Sequence, residues 1–576
     1  MSFFTNHIKL RDSIRTDAPP AIAESMELPP GHRKNPGFRA FSSATIFDKN
    51  QILTLRDGVK IRADIFRPKG DAKVPGIIMY GPYGKSNSGP INLDFMPLRA
   101  GIPQSSQSGY ENFEGLDPAE WVPRGYAIIN VDARGSGDSE GDILWWGTAE
   151  GRDGYDAIEE LAKLPWSNGK FGMAGNSWLA MSQYAIAAEQ PPHLLAIAPL
   201  EGTSDELREH SFRGGIPSTG FAKMIAGALP GRGKQEDWVA AIESTITTND
   251  YLEDKRVDFS KIKVPTYIGA SYSSDLHTIG SLRAFEEIPH KDKWLSLHAT
   301  QEWYDLYSPN RTEDLCKFFD RYLKGVDNGW EGTVPVRLAL LTYTGSPIVD
   351  RPFLDLPWHL PSADRDVLHL THFGGMSKSK PSSPERLSYN SESSEKLEFT
   401  HTFTSRVALV GPSTLVIDVS SPNQDDLDIY THIFKASADG TMLTHLNVPV
   451  PDSVPQDIVA KATENRIFKY WGPNGMLRAS HRHVSRQKSG KTWNTLSHEK
   501  VQKVQPGTIV RLEIQLWPTG IIFEAGENLV LKISGEEIGV PALPQLPKTT
   551  GINKGNHVVH VGGDFEARLD IFTIDA

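Results

Sequence analysis

The sequence predicts an α/β domain built on a parallel sheet, followed by a domain made of β-strands alone. Between about residues 51 and 334, short apolar strands such as VPGIIMYG and YAIINVD alternate with helical stretches such as GRDGYDAIEELAKL. Buried strands that alternate with helices imply a parallel sheet with right-handed crossovers. After about residue 335, short alternating strands separated by Gly, Pro and Asp turns replace the helices. This second pattern is typical of a β-sandwich or jelly roll.

Two further segments complete the predicted organisation. Residues 1–50 are polar and contain several prolines, so we interpret them as an arm on the surface rather than a domain. Residues 201–262 interrupt the alternation with polar helical segments and glycine-rich turns. Insertions of this kind often cover a site, so we interpret this segment as a helical cap over one end of the sheet. The α/β domain is therefore expected over 51–334, and the β domain over 335–576.

Composition and charge exclude several classes of function. The net charge is −11 and no basic stripe is visible, so nucleic acid is not an expected partner. No apolar run approaches the roughly 18 residues that a membrane span needs, and the N-terminus lacks the apolar core of a secretory signal. We therefore expect a cytoplasmic protein with no membrane partner. The sequence allows a homodimer without predicting one.

The histidines and the cysteine indicate no cofactor. The 18 histidines include no HExxH motif and no Cys/His cluster, so neither a metal nor another cofactor is expected. Cys316 is the only cysteine and lies in a helical stretch. We interpret it as a packed helix residue rather than a nucleophile.

Ser177 is the candidate nucleophile. It stands in GNSWLA, between the strand FGMAG and a helix. A nucleophilic serine on a strand-to-helix elbow needs a small residue two positions earlier, and Gly175 meets this requirement. The second glycine of this motif, two positions after the serine, is replaced by Leu179. The alternative role of Ser177 is to cap the helix that follows it.

Several motifs in one order carry a family resemblance. LRDGVKIRADIFRP, MYGPYGKS, VDARGSGDSEG, PWSNGK and GNSW follow one another between about residues 50 and 200. Together they resemble the cocaine-esterase and X-prolyl-dipeptidyl-peptidase group of α/β-hydrolases, and the resemblance extends over about 263–325 and more weakly through the β region. It implies an α/β-hydrolase domain with an inserted helical cap and a C-terminal jelly roll. It also implies a serine hydrolase that cleaves a small ester or amide through an acyl-enzyme.

The resemblance also implies the partners of the serine. The family carries its catalytic aspartate after the strand that VPTYIGAS matches, which indicates Asp275. Family members commonly end a Gly-Pro-Trp-x-His turn, after the last sheet strand, with the catalytic histidine. Here that turn reads HATQEWYD, with His298 at the strand end and Glu302 near the end of the turn. A subset of relatives resembles this arrangement, so we expect His298 to be the base.

Three alternatives to His298 remain. His277 would share one loop with Asp275, and His290 stands before the last strand, at the opposite edge of a parallel sheet. Glu302 is a poor proton acceptor, because an unperturbed carboxylate has a pKa of about 4.3.

The oxyanion hole and the substrate pocket have candidates as well. The backbone N–H after the nucleophile supplies one donor in this fold, which indicates Trp178. The family supplies the second donor from a tyrosine hydroxyl, which indicates Tyr83, although a tyrosine at a pocket rim is the alternative. Trp145 and Trp146 are candidates either for the lining of an acyl pocket or for core packing.

Two other functions compete with hydrolysis. The same site in a biosynthetic enzyme would pass the acyl group to a nucleophile other than water, or promote a cyclisation. A catalytically dead protein would instead bind its partner through the β-sandwich.

Overall fold

An 11-stranded mixed sheet forms the centre of the molecule. The computed structural model describes residues 9–15, 19, 22–274, 276–450, 454–539, 546, 549 and 551–576. We number the strands of this sheet β1 to β11 along the chain: Glu24–Leu28, Thr45–Thr54, Lys60–Pro68, Val74–Gly81, Ala127–Asp132, Ser167–Asn176, Leu194–Leu200, Thr266–Ser271, Lys293–His298, Val336–Leu340 and Ile348–Phe353. Their order across the sheet is 11-10-9-8-7-6-4-5-3-2-1. Strands β4 to β10 are parallel, so their carboxyl ends meet at one edge.

Helices cover both faces of this sheet. The longer ones, α1 to α4, span Gly147–Ala162, Trp178–Ala188, Thr278–Glu287 and Pro309–Phe319. Helix α1 buries one stripe of apolar residues, whereas α2 is buried almost all round. In α/β sheets, ligands bind outside the carboxyl ends of the parallel strands. The segments that follow β6, β7, β8 and β9 all leave the sheet at that edge.

The cap lies between β7 and β8, as the sequence predicts. It contains the short helices Gly220–Ala226, Trp238–Glu243 and Asp250–Glu253. The N-terminal strand Leu10–Asp12 pairs with Lys234–Glu236 of the cap. The described part of the arm therefore holds the cap by backbone hydrogen bonds.

The interpretation of residues 1–50 as a surface arm needs correction. Strands β1 and β2 come from this segment and extend the central sheet. Strand β1 lies at the sheet edge and exposes most of its side chains. An edge strand can be polar on its exposed positions, which is why the apolar pattern did not reveal it.

The C-terminal region is a sandwich of a nine-stranded and a four-stranded sheet. The larger sheet contains Asp364–Leu370, Met376–Ser377, Glu385–Asn390, Val407–Gly411, Thr414–Ser420, Val510–Gln515, Thr519–Phe523, Asn556–Val561 and Ala567–Ile574. The smaller sheet contains Lys396–Thr402, Asp428–Ala436, Asn474–Arg478 and Asn528–Ser534. The predicted fold class, an α/β domain followed by an all-β domain, is confirmed.

The boundary predicted at residue 335 falls just before two strands that still pair with the central sheet. Strands β10 and β11 continue the central sheet past that point. The N–H of Leu341 then donates to the carbonyl of Gly520 at 2.8 Å, and the N–H of Ile522 donates to the carbonyl of Leu341 at 2.9 Å. One apolar core runs through both regions. Strand propensity alone does not tell which sheet a strand joins, because that depends on long-range pairing.

Among the described residues, no helix combines the length and the apolar character that crossing a membrane requires.

Candidate active site

Ser177 lies on a sharp turn between β6, which ends at Asn176, and α2, which begins at Trp178. Its backbone angles, φ 54° and ψ −122°, are strained, as a nucleophile elbow requires. Its N–H donates to the carbonyl of Glu201, at the end of β7, over 2.8 Å. The Ser177 side chain makes no capping hydrogen bond, so a helix cap does not account for it. Instead it lines a cavity of about 540 Å³.

Leu179 stands at the position of the motif's second glycine, and two other glycines leave space for its side chain. Gly175 has φ +129°, and a Cβ atom added there would lie 2.7 Å from the Leu179 Cβ. A Cβ atom added at Gly81 would lie 2.6 Å from Leu179 Cδ2. The two glycines therefore make the room that Leu179 occupies, and the elbow stays tight.

Tyr83 follows β4 and lies beside the nucleophile. Its hydroxyl interacts with the Ser177 side chain and with the backbone N–H of Trp178. Burial, and then the nearby carboxyl of Glu114, raise the pKa of Tyr83 well above its ordinary value, so the phenol keeps its proton. The structure thus places the Tyr83 hydroxyl next to the Trp178 N–H, the two groups that the sequence indicates as oxyanion donors.

His277 and Glu302 form a hydrogen-bonded pair in the same cavity. His277 follows β8, and Glu302 begins the short helix Glu302–Leu306 after β9. The His277 Nδ1 lies 2.9 Å from Glu302 Oε2. Since this carboxylate takes Nδ1, Nε2 is the ring nitrogen that remains for acid–base chemistry. Both residues line the cavity with Ser177 and Tyr83.

The charges around His277 favour its protonated form. Burial alone would lower the pKa of this imidazole, but the carboxylate of Glu302, with help from Glu201 and Glu114, raises it to about 9. Glu114 is itself buried, beside Glu302, and these two causes raise its pKa to about 8. Its Oε1 accepts a hydrogen bond of 2.9 Å from the indole N–H of Trp303. Both shifts act in the direction of protonation, towards an imidazolium at His277 and a neutral carboxyl at Glu114.

His298 does not occupy the position that the sequence predicted. Its Nε2 lies 2.6 Å from Glu201 Oε1, and its Nδ1 lies 3.2 Å from Thr300 Oγ1. Both ring nitrogens thus face partners other than Ser177, and the expected contact with Ser177 is corrected. The reason is that His298 is still part of β9, where it pairs in register with Ser271. Only the loop beyond it reaches the cavity.

Glu201 lies behind this arrangement. It has a strained backbone with φ 60°, and its carboxylate is fully buried. Burial raises its pKa, although the neighbouring His298 opposes that shift. One donor atom each from Glu201, His277 and Glu302 lie within 4.8 Å of one another, and among the described residues this is the set close enough to hold a cation.

The remaining predicted site residues divide into two groups. Asp275 lies outside the described residues, and its role as the acid stays a prediction. Trp145 and Trp146 border a second, smaller cavity that also touches Ser177. Both are buried and contact Trp178, with ring centroids 5.3 and 4.7 Å away.

Sequence reasoning treated His277 and Glu302 only as alternatives. A signal was nevertheless present: a glutamate stands near the end of the turn where relatives carry histidine, and a histidine stands in the loop where they carry the acid. The two substitutions are reciprocal. Considered together, they would have pointed to a contact between His277 and Glu302.

Comparisons with known proteins show which family the chain resembles. The family model described as X-Pro dipeptidyl-peptidase (S15 family) matches residues 57–226, and that of the X-Pro dipeptidyl-peptidase C-terminal non-catalytic domain matches 328–570. A protein of Mycobacterium bovis named a serine esterase is 23% identical over 84% of this chain and 90% of its own length. The cocaine esterase of a Rhodococcus species is 30% identical over 28% of this chain and 24% of its own.

A solved structure also matches this chain over most of its length. A CocE/NonD family hydrolase from Staphylococcus aureus is 32% identical, with a TM-score of 0.82 over 92% of this chain and 94% of that one.

Proposed function

Since the chain belongs to the CocE/NonD family of serine hydrolases, which act on ester or amide bonds, we propose that it hydrolyses a small ester or amide with Ser177 as the nucleophile. His277 is the general base, and Glu302 is the acid that orients it. The observation that carries this proposal is the 2.9 Å contact between His277 Nδ1 and Glu302 Oε2, in a cavity that Ser177 also lines.

The first half of the reaction forms an acyl-enzyme. His277 Nε2 takes the proton of Ser177 Oγ as that oxygen bonds to the substrate carbonyl carbon. The charge that develops on the carbonyl oxygen is stabilised by the Tyr83 hydroxyl and the Trp178 N–H. The imidazolium then gives its proton to the leaving alcohol or amine as the bond to the carbonyl carbon breaks.

The second half returns the enzyme to its starting state. Water loses a proton to His277 and attacks the acyl carbon, and Ser177 leaves with that proton restored. Glu302 holds the imidazole in one tautomer throughout and stabilises its positive charge. The buried carboxylate of Glu201 pairs with the ring of His298 beside His277 and Glu302, and the two support that pair.

Acylation kinetics of single variants test these roles. A fluorophosphonate probe should label Ser177, as peptide mass spectrometry can verify. His277→Ala should slow labelling by at least about 10³-fold, because the base is lost. His298→Ala should slow it less than about tenfold. Labelling of another residue, or the reverse order of the two histidine variants, would contradict the proposal.

Isotope incorporation separates hydrolysis from transfer. In water enriched in ¹⁸O, one labelled oxygen should enter each molecule of product acid, because water attacks the acyl-enzyme. A product without the label would indicate another nucleophile.

A further inference from the structure

Two chambers of very different size meet at Ser177. The large one has a volume of about 540 Å³, and the small one has about 30 Å³. Tyr83 and His277 border both. A carbonyl carbon held at Ser177, with its oxygen between the two donors, therefore directs one substituent into each chamber.

Packed tryptophans form one side of the small chamber, and Met181, Ala222, Ile225 and Leu276 are among the other residues that line it. The rings of Trp145 and Trp146 lie 5.0 Å apart, and Trp146 lies 4.7 Å from Trp178. Trp238 supports Trp146 from behind at 5.9 Å. Close-packed aromatic walls resist displacement, because moving one ring disturbs the others.

Trp146 is held in place by its backbone as well. Its φ is +49°, a conformation that a bulky residue rarely adopts and that surrounding contacts must enforce. The Nζ of Lys255 donates a hydrogen bond of 3.2 Å to the Trp146 carbonyl. Two residues further on, the N–H of Thr148 donates to the carboxylate of Asp254 over 3.1 Å. Strain of this kind concentrates at functional sites.

The two chambers also differ in the exposure of some residues that line them. Phe95, which lines the large chamber, is 75% exposed, so that chamber reaches the surface. The three tryptophans of the small chamber are all buried. In an acyl-enzyme mechanism the leaving group must diffuse away while the acyl group stays bonded to serine. The large chamber, which reaches the surface at Phe95, therefore suits the leaving group, and the small one suits the acyl group.

We propose that the small chamber limits the acyl group to two or three carbons, so that the substrates are acetyl or propionyl esters of larger alcohols. This inference rests on the proposed function. A volume of 30 Å³ holds about two or three non-hydrogen atoms, since about 10–15 Å³ on this measure holds one water. A benzoyl group or a dipeptide exceeds that space.

An acyl-chain series tests the limit. The values of kcat/KM are measured with the p-nitrophenyl esters of acetate, propionate, butyrate, hexanoate and benzoate. The kcat/KM values for the acetate and propionate esters should agree within about tenfold. Those for the hexanoate and benzoate esters should be at least about 100-fold lower. Values of kcat/KM that do not change with chain length, or that rise with it, would overturn the limit on the acyl group. The proposed function would still stand if the reaction depended on Ser177.

Substitutions in the wall give a second measurement. Trp146→Ala should raise kcat/KM for hexanoate relative to acetate at least tenfold, whereas Trp166→Ala, outside both chambers, should leave the ratio unchanged. Ala222→Val narrows the small chamber, so it should reduce kcat/KM for the propionate ester relative to the acetate ester. This variant decides the question even if Trp146→Ala fails to fold. If Trp146→Ala and Ala222→Val fold but leave these ratios of kcat/KM unchanged, the assignment of the acyl group to the small chamber is overturned.

Two further results would overturn this inference. One indicates that the substrate binds in the opposite orientation, and the other that the proposed function is wrong. Faster turnover of methyl hexanoate than of hexyl acetate, whose alkoxide leaving groups are similar, would put the alcohol in the small chamber and overturn the inference. Absence of Ser177-dependent turnover with every ester would overturn the proposed function and this inference with it.

Discussion

The pH dependence of the reaction is the most direct consequence of the charges around His277. A base must be neutral to accept a proton, and the carboxylates around this imidazole, which outweigh its burial, raise its pKa to about 9. At pH 7 only about 1% of such an imidazole is neutral, against about half at pH 9. We therefore expect kcat/KM to rise nearly tenfold per pH unit from pH 6 to 8, and to level off above about pH 9.

Glu302→Gln isolates the cause of this shift. The substitution keeps a hydrogen-bond acceptor but removes the charge that contributes most to raising the pKa of His277. The pH at which kcat/KM reaches half of its plateau should fall by at least about one unit. The plateau should also fall, by about 10²–10⁴, because the amide no longer stabilises the imidazolium.

The assay is kcat/KM for p-nitrophenyl acetate between pH 5 and 10, with stability checked across the range. Glu331→Gln is the matched control, because Glu331 pairs with Arg321 on the surface, away from the site. A parent midpoint near pH 6.5, or one that Glu302→Gln leaves unchanged, would refute the reasoning about His277. A slow variant can still be examined by NMR titration of its histidines.

Three further predictions follow from the site and the fold. Ser177→Ala should reduce kcat by at least about 10⁴-fold in ester hydrolysis, because the triad acts as a unit; a tenth of the parent rate would exclude Ser177. Tyr83→Phe removes one hydroxyl, so thermal stability should change little while kcat falls about 10²–10³-fold, and an unchanged kcat would move the second oxyanion donor elsewhere. A chain that ends at Phe353 should aggregate on size-exclusion chromatography, because it exposes a core that the two regions share; a monodisperse, active fragment would contradict this.

The elbow and the family motifs were accessible to sequence reasoning because they are local. A strand, a turn and a helix around Ser177 are contiguous in the chain, so their geometry follows from neighbouring residues. Tyr83 stands in a similarly local motif after β4. The structure brings Tyr83 and Trp178 to Ser177, as the motifs indicated.

The base could not be chosen on the same grounds. His277 and His298 follow or end neighbouring parallel strands, so both lie near the same sheet edge. Chain order favoured His298, yet its ring meets Glu201, which comes from the end of β7. A choice between two histidines at one edge depends on which carboxylate each one meets, and these contacts join residues distant in sequence.

The sequence by itself determined the α/β and all-β classes, the inserted cap and the elbow serine, because each depends on periodicity or on residues adjacent in the chain. The tertiary structure alone decided that β1, β2, β10 and β11 join the central sheet, and that Glu302 pairs with His277. These features arise from pairing between distant segments. Their free energy depends on burial and on electrostatic partners that no local pattern specifies.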